Sequence, residues 1–211
     1  CVCEGARTGV ACDLPMPPVE STCQMLAPRR NASGRADDVR LDEIGIVMAM
    51  GDSMTAGYNV LKGDNVEYRG WSFSSGSEPS ANTLATFLKA YNPHLLGAST
   101  GERHPSQAPG HYAVPCPEKD YAICGLNAAV DGARVGWLQQ QLDWLSKRLD
   151  TLAPGTWPDQ WKMITIFSGL DDIVFGPSNN ATAHPPTDVH VVEQQFDAIL
   201  ESLHMRFPKL L

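Results

Sequence analysis

The chain has 211 residues, 43% of them hydrophobic, enough to bury a core in one domain with an added arm. Its net charge of −8, from 24 acidic and 16 basic residues with no basic stripe interleaved with aromatics, excludes a typical nucleic-acid binder. No stretch approaches the ~20 apolar residues of a spanning helix, and the opening Cys-Val-Cys-Glu-Gly lacks the plan of a signal peptide, so the chain reads as soluble and already processed.

Residues 1–40 are polar and aperiodic and predict a Cys-rich arm, followed by one domain over 41–211. Four of the six cysteines, Cys1, Cys3, Cys12 and Cys23, lie in the arm, and Cys116 and Cys124 flank a short loop. An even count in polar segments suits disulfides in an oxidising compartment. We expect Cys116 to pair with Cys124, and Cys1 and Cys3 each to reach Cys12 or Cys23. Zinc would need a second Cys or His pair at finger spacing, which is absent, so neither a metal nor a cofactor is expected. Sequons at Asn31 and Asn180 agree with a secreted or lumenal protein.

The apolar run Ile44–Met50 predicts a strand covered on both faces. It opens into Gly51-Asp52-Ser53, so Ser53 should begin a helix. A short helix follows over Ala81–Pro93. Leu126–Val130 predicts a weaker strand and Lys162–Gly169 a strong one. Val135, Leu138, Leu142, Leu145, Leu149 and Leu152 recur at helical spacing and stop at Pro154-Gly155. A last helix runs from Thr187 through Val189, Val192, Phe196, Ile199, Leu203 and Phe207. Strands alternating with helices predict an α/β fold with a parallel sheet.

Two serines compete for the role of nucleophile. Ser99 fits G-x-S-x-G in Gly97–Gly101, but that motif requires a strand before it and a helix after it. Ser99 instead follows a helix end and precedes a proline-bearing loop. Ser53 has the required context, at the carboxyl end of a buried strand where α/β sheets bind ligands. Gly132 and the stretch Ser168–Asp172 end the next two strands on the same rim, with Gly132 and Asp171 expected on loops, which gives a nucleophile and candidate oxyanion donors for acyl transfer. A phosphate cradle at Gly51–Ser53 is the weaker alternative, because neither G-x-x-x-x-G-K-[ST] nor G-x-G-x-x-G occurs.

The stretches GDSMTAG, LNAAVDGA and TIFSGLDD resemble, in order and spacing, the first three blocks of the GDSL or SGNH hydrolases. YRGWSFSSG, TLATFLKAYNPHLLGASTG and LNAAVDGARVGWL resemble the phospholipase B branch, and the likeness runs from about Cys23 to Leu211. The resemblance implies a three-layer α/β/α domain in which Ser53 attacks a carboxylic ester, that of a lipid or another acyl ester. It makes the Ser53 and Gly132 N–H groups oxyanion donors, and it places Asp171 where the family carries a donating Asn. An ionised Asp accepts only, so Asp171 must be protonated to serve.

The late D-x-x-H block of the family is absent, and Glu201-Ser202-Leu203-His204 imitates it only in spacing. His94, His104, His111, His184 and His190 read as loop or helix-start residues. The sequence therefore predicts an incomplete domain, finished by a second polypeptide or further residues that supply the base, with an unpaired sheet edge beside Met163–Gly169. The competing expectation is a catalytically impaired subunit with a binding or structural role in an extracellular assembly.

Overall fold

The computed structural model describes residues 7–8, 14–15, 33–104, 115–174 and 188–211. The chain divides into two units, Cys1–Ala32 and Ser33–Leu211. In the first, β1 (Arg7–Thr8) pairs antiparallel with β2 (Leu14–Pro15). Cys1, Cys3, Cys12, Cys23, Asn31, Asn180, His111 and His184 lie outside the described residues.

The second unit is built around β3 (Ile44–Gly51), whose apolar run is buried along almost its whole length. On one side β3 pairs in parallel with β4 (Trp161–Phe167), from Ile44 opposite Trp161 to Gly51 opposite Phe167. On the other side Val47 N–H donates to Leu96 O at 2.9 Å, Ala49 N–H to Leu126 O at 3.0 Å, and Ala128 N–H to Ala49 O at 2.8 Å.

The expected strand Leu126–Val130 is thus a parallel neighbour of β3, but as a single bridge at Asn127 rather than a continuous strand. The segment's other edge is taken by side chains: Asn127 accepts from Ala129 N–H at 3.0 Å, and Arg69 donates to the carbonyls of Asn127 and Ala129, so those groups are satisfied without a further strand.

Helices cover this sheet because its side chains alternate in direction. Ile46, Met48 and Met50 join one apolar cluster with Leu138, Leu142, Leu145 and Leu149 of α4 (Leu138–Leu152) and Ile199 and Leu203 of α6 (Val189–Arg206). Ile44 and Val47 join another with Ala85 and Leu88 of α2 (Leu84–Tyr91). Thr83 caps α2, accepting from Thr86 N–H while the Thr86 hydroxyl accepts from Thr83 N–H. The short α3 (Tyr121–Cys124) ends at a disulfide from Cys124 to Cys116.

The outer edge of β4, expected to be unpaired beside Met163–Gly169, is covered at its start, as far as Ile164. Lys162 N–H donates to Lys209 O at 2.9 Å, Leu211 N–H to Lys162 O at 2.8 Å, and Ile164 N–H to Leu211 O at 3.0 Å. After α6 the residues Lys209–Leu211 turn back and run parallel to the start of β4, in the direction that a crossover helix delivers them.

Candidate active site

Ser53 begins the four-residue helix α1 (Ser53–Ala56) directly after β3. Asp52 caps it by accepting from Met54 N–H at 2.9 Å, and Gly57 ends it in the left-handed region at φ 74°. The strand-to-helix junction is tight. Gly51 sits at φ 151°, and a Cβ there would overlap the carbonyl oxygen of Phe167. Only glycine fits this position. Ser53 is half-buried, and its Oγ has no hydrogen-bond partner among the described residues.

Gly132 lies in an exposed turn after Val130 at φ 73°, with nothing within 4 Å of where a Cβ would stand. Asp171 lies in the first turn of α5 (Leu170–Val174), not in the loop that the sequence predicts. Gly169, at φ 113°, makes the turn and lets the chain re-enter a helix at once. Asp171 and Asp172 then occupy the first turn, where helical N–H groups favour acidic side chains.

The three limbs are cross-linked. Val135 N–H donates to Asp172 Oδ2 at 3.0 Å, which joins the Gly132 limb to α5. Asp52 N–H donates to Phe167 O at 3.3 Å, which joins the Ser53 limb to the end of β4. Asp52, Asp131 and Asp171 lie within electrostatic reach of one another. Burial raises the Asp171 pKa above its ordinary 3.8, Asp52 and Asp172 raise it further, and Arg134 opposes. Burial also leads in raising Asp52, with Asp131 adding to it, and in raising Asp131, with Glu67 and Asp171 adding. Asp171 is buried, and its Oδ2 has no partner among the described residues. A carboxyl in that state holds a proton more readily than one in water, and a protonated carboxyl can donate.

No described histidine completes the site. His94, His104, His190 and His204 are exposed, and none hydrogen-bonds Ser53. His204 lies in the last turn of α6, just before Lys209–Leu211 meets the start of β4. Ser53 follows the opposite, carboxyl ends of the parallel strands. Glu201 and His204 therefore belong to a surface helix turn away from the site.

Ser99 is fully buried, and its hydroxyl donates to Cys124 O at 2.8 Å and lies 3.1 Å from Ser75 Oγ. It knits loops together and faces no cleft.

Residues that motif reading passed over hold the site up. Arg69, fully buried, donates to Ala129 O at 2.9 Å, to Asn127 O at 3.1 Å and to Glu67 Oε2 at 2.9 Å. Glu67 also pairs with Arg103 at 3.2 Å. Asn127 Nδ2 donates to Thr55 O at 2.8 Å and Ser75 Oγ at 2.9 Å. The available signal was polarity: a charged Arg69 and Glu67 amid a Gly- and Ser-rich stretch, and an Asn inside an apolar run.

A serine on a strand-to-helix junction, with a glycine turn and an acidic helix start beside it, defines an α/β hydrolase-like arrangement. The family model for GDSL-like Lipase/Acylhydrolase matches residues 47–210, and the chain belongs to that family. The chain is 28% identical over 202 residues to mouse (Mus musculus) "Phospholipase B1, membrane-associated", covering 90% of this chain and 12% of that protein. The human (Homo sapiens) protein of that name is 28% identical over 177 residues, covering 80% of this chain and 11% of its own length. The rat (Rattus norvegicus) protein is 28% identical over 161 residues, covering 72% and 10%. The chain thus spans about a tenth of the relatives it matches. No solved structure matches. No helix among the described residues is long and apolar enough to cross a membrane.

Proposed function

We propose that this chain is the nucleophile-bearing part of a secreted serine ester hydrolase that cleaves carboxylic esters of lipids. One observation carries the reading: Ser53 starts a helix at the carboxyl end of the central buried strand, with Gly132 and Asp171 at the ends of the segments on either side. The Ser53 Oγ attacks the ester carbonyl carbon while its proton passes to an imidazole base. The carbonyl π electrons move onto oxygen, where the N–H groups of Ser53 and Gly132 and the protonated carboxyl of Asp171 stabilise the charge. Collapse expels the alcohol, which takes the proton back from the base. Water then cleaves the acyl-serine by the same route. The base comes from a segment or second polypeptide beyond this sequence, which also completes a three-layer α/β/α domain.

Secretion is supported by the Cys116–Cys124 disulfide and by the sequons at Asn31 and Asn180. Lipid as substrate is supported by the family and by the name of the relatives, together with exposed apolar side chains around the site, among them Met54, Phe73, Phe167 and Leu170.

Fluorophosphonate labelling with peptide mapping tests the reading. Label on Ser53 that is lost in Ser53→Ala and kept in Ser99→Ala supports it. Silence of the complete assembly, glycans and partner included, favours a binding or structural subunit. The observation that favours that second reading is an ionisable Asp, Asp171, just after β4, where this mechanism would use a hydrogen-bond donor.

A further inference from the structure

One polar side chain interrupts the apolar stripe of α4. Gln141 is 1% exposed and stands among Leu138, Leu142 and Leu145. A primary amide placed there would be costly without partners, and both of its ends are satisfied by one residue. Its Oε1 accepts from Gly51 N–H at 2.8 Å, and its Nε2 donates to Gly51 O at 2.8 Å. The same Gly51 oxygen accepts from Val130 N–H at 3.1 Å.

Gly51 is therefore a shared anchor. Two residues beyond it stands Ser53, and two residues beyond Val130 stands Gly132. The backbone at Gly51, at φ 151°, is one that other residues rarely adopt, and the close approach of Phe167 O and Thr55 Oγ1 leaves it no room for a Cβ. A two-point grip from a helix on the sheet face fixes the peptide at which the strand becomes the turn.

We propose that Gln141 is a positioning residue for both backbone oxyanion donors, acting through Gly51; this rests on the esterase reading above. The amide sets the orientation of the Gly51 peptide, which aims the Ser53 N–H, and through the shared oxygen it holds Val130, which aims the Gly132 N–H. A merely structural amide would change stability alone. A positioning amide changes the reactivity of Ser53 in a molecule that is still folded.

The test uses the full chain, in its complete assembly, with Gln141→Met and Gln141→Glu. Methionine keeps the volume and removes both hydrogen bonds. A protonated glutamic acid keeps one acceptor for Gly51 N–H and one donor for Gly51 O, and its ionised form opposes that oxygen. Burial raises the carboxyl's pKa, so the Glu variant should match wild type at low pH and lose reactivity as pH rises. Asp52, Asp131 and Asp171 titrate in the same region, so the profile is read as the ratio to wild type at each pH.

Under conditions where urea titration shows each variant folded, Gln141→Met should lower fluorophosphonate labelling of Ser53 and kcat on a p-nitrophenyl ester by about tenfold to a hundredfold, with KM little changed. Amide hydrogen exchange at Gly51 and Ser53 should quicken. If Gln141→Met does not fold, the Glu variant at low pH against neutral pH gives the same comparison. A folded Gln141→Met, or a folded ionised Glu variant, that labels at the wild-type rate overturns the proposal. If wild type itself is not labelled, the esterase reading falls first. Unchanged exchange at Gly51 and Ser53 in the variants then overturns the positioning role as well.

Discussion

The side-chain amide of Asn127 lies 2.8 Å from the carbonyl oxygen of Thr55, so the segment leading to Gly132 is bonded to the helix that carries Ser53. Ser72 Oγ donates to the same oxygen at 2.7 Å. In Asn127→Ala the Ala129 N–H and one Arg69 contact lose their side-chain acceptor inside the core. We expect a loss of about 2–4 kcal/mol by urea unfolding. A fall within a few tenths of a kcal/mol would show that water or neighbouring groups replace the amide.

Arg69→Met should be harsher. It strands Glu67 beside Arg103 alone and leaves the carbonyls of Asn127 and Ala129 without their donor. Breaking a buried pair from one side costs about 3–5 kcal/mol. Thermal unfolding of Arg69→Met against Arg103→Met checks this, since Arg103 is less buried and should matter less.

On the proposed esterase mechanism, Asp171→Asn converts an acid that opposes a developing oxyanion when ionised into a permanent donor. Ester turnover at pH 8 should rise by about a hundredfold. The parent should improve as pH falls toward the raised Asp171 pKa, until the base is protonated. For stability the sign follows from the same shift. The folded state disfavours the ionised form, so the penalty is fully present above the folded pKa and vanishes as pH falls to 3.8. Asp171→Asn should therefore be more stable than the parent at pH 8, with the gap closing on acidification. Denaturation midpoints of the two proteins at several pH values measure it.

Ser99→Ala should keep activity and fluorophosphonate labelling. It loses the hydrogen bonds to Cys124 O and Ser75 Oγ, which together should cost about 1–2 kcal/mol of stability. Loss of activity in a folded Ser99→Ala protein would reopen the competing G-x-S-x-G assignment.

The Cys116–Cys124 link closes a short loop, with a sequence separation of 8, and Trp144 Nε1 donates to Cys116 O at 3.0 Å, fastening that loop to α4. Replacing both cysteines with serine should cost about 2.5 kcal/mol by loop-closure entropy, read as a lower urea midpoint.

Local signals made much of this architecture readable in the sequence. A continuous apolar run gave β3, helical spacing gave α4 and α6, and Gly-Asp-Ser after a strand placed Ser53 at a junction. Asp171 was harder: Gly169 suggests a loop, whereas the chain bends there once and enters α5. Leu126–Val130 reads as a strand by composition, but only Asn127 bridges to β3, and the segment's outward N–H and carbonyl groups are taken by the Asn127 and Arg69 side chains. Gln141, Arg69 and Asn127 escape a sequence reading because their partners lie 90, 60 and 72 residues away, and spacing says nothing about contacts at that range.

The one strand that pairs with β3 along its length, β4, arrives late in the chain, and that shapes how the protein must be made. The pairing of Ile44 with Trp161 spans 161 − 44 = 117 residues, and the sheet offers β3 no hairpin to form first. Parallel pairings of such range are slow to form, because the loop must close before any contact rewards it. On a ribosome adding about 5–20 residues per second, Ile44–Met50 waits roughly 6–23 s for its partner to be synthesised. During that interval its apolar, β-prone run is open to other chains, so a nascent-chain chaperone should crosslink more strongly to Ile44–Met50 before β4 emerges than after.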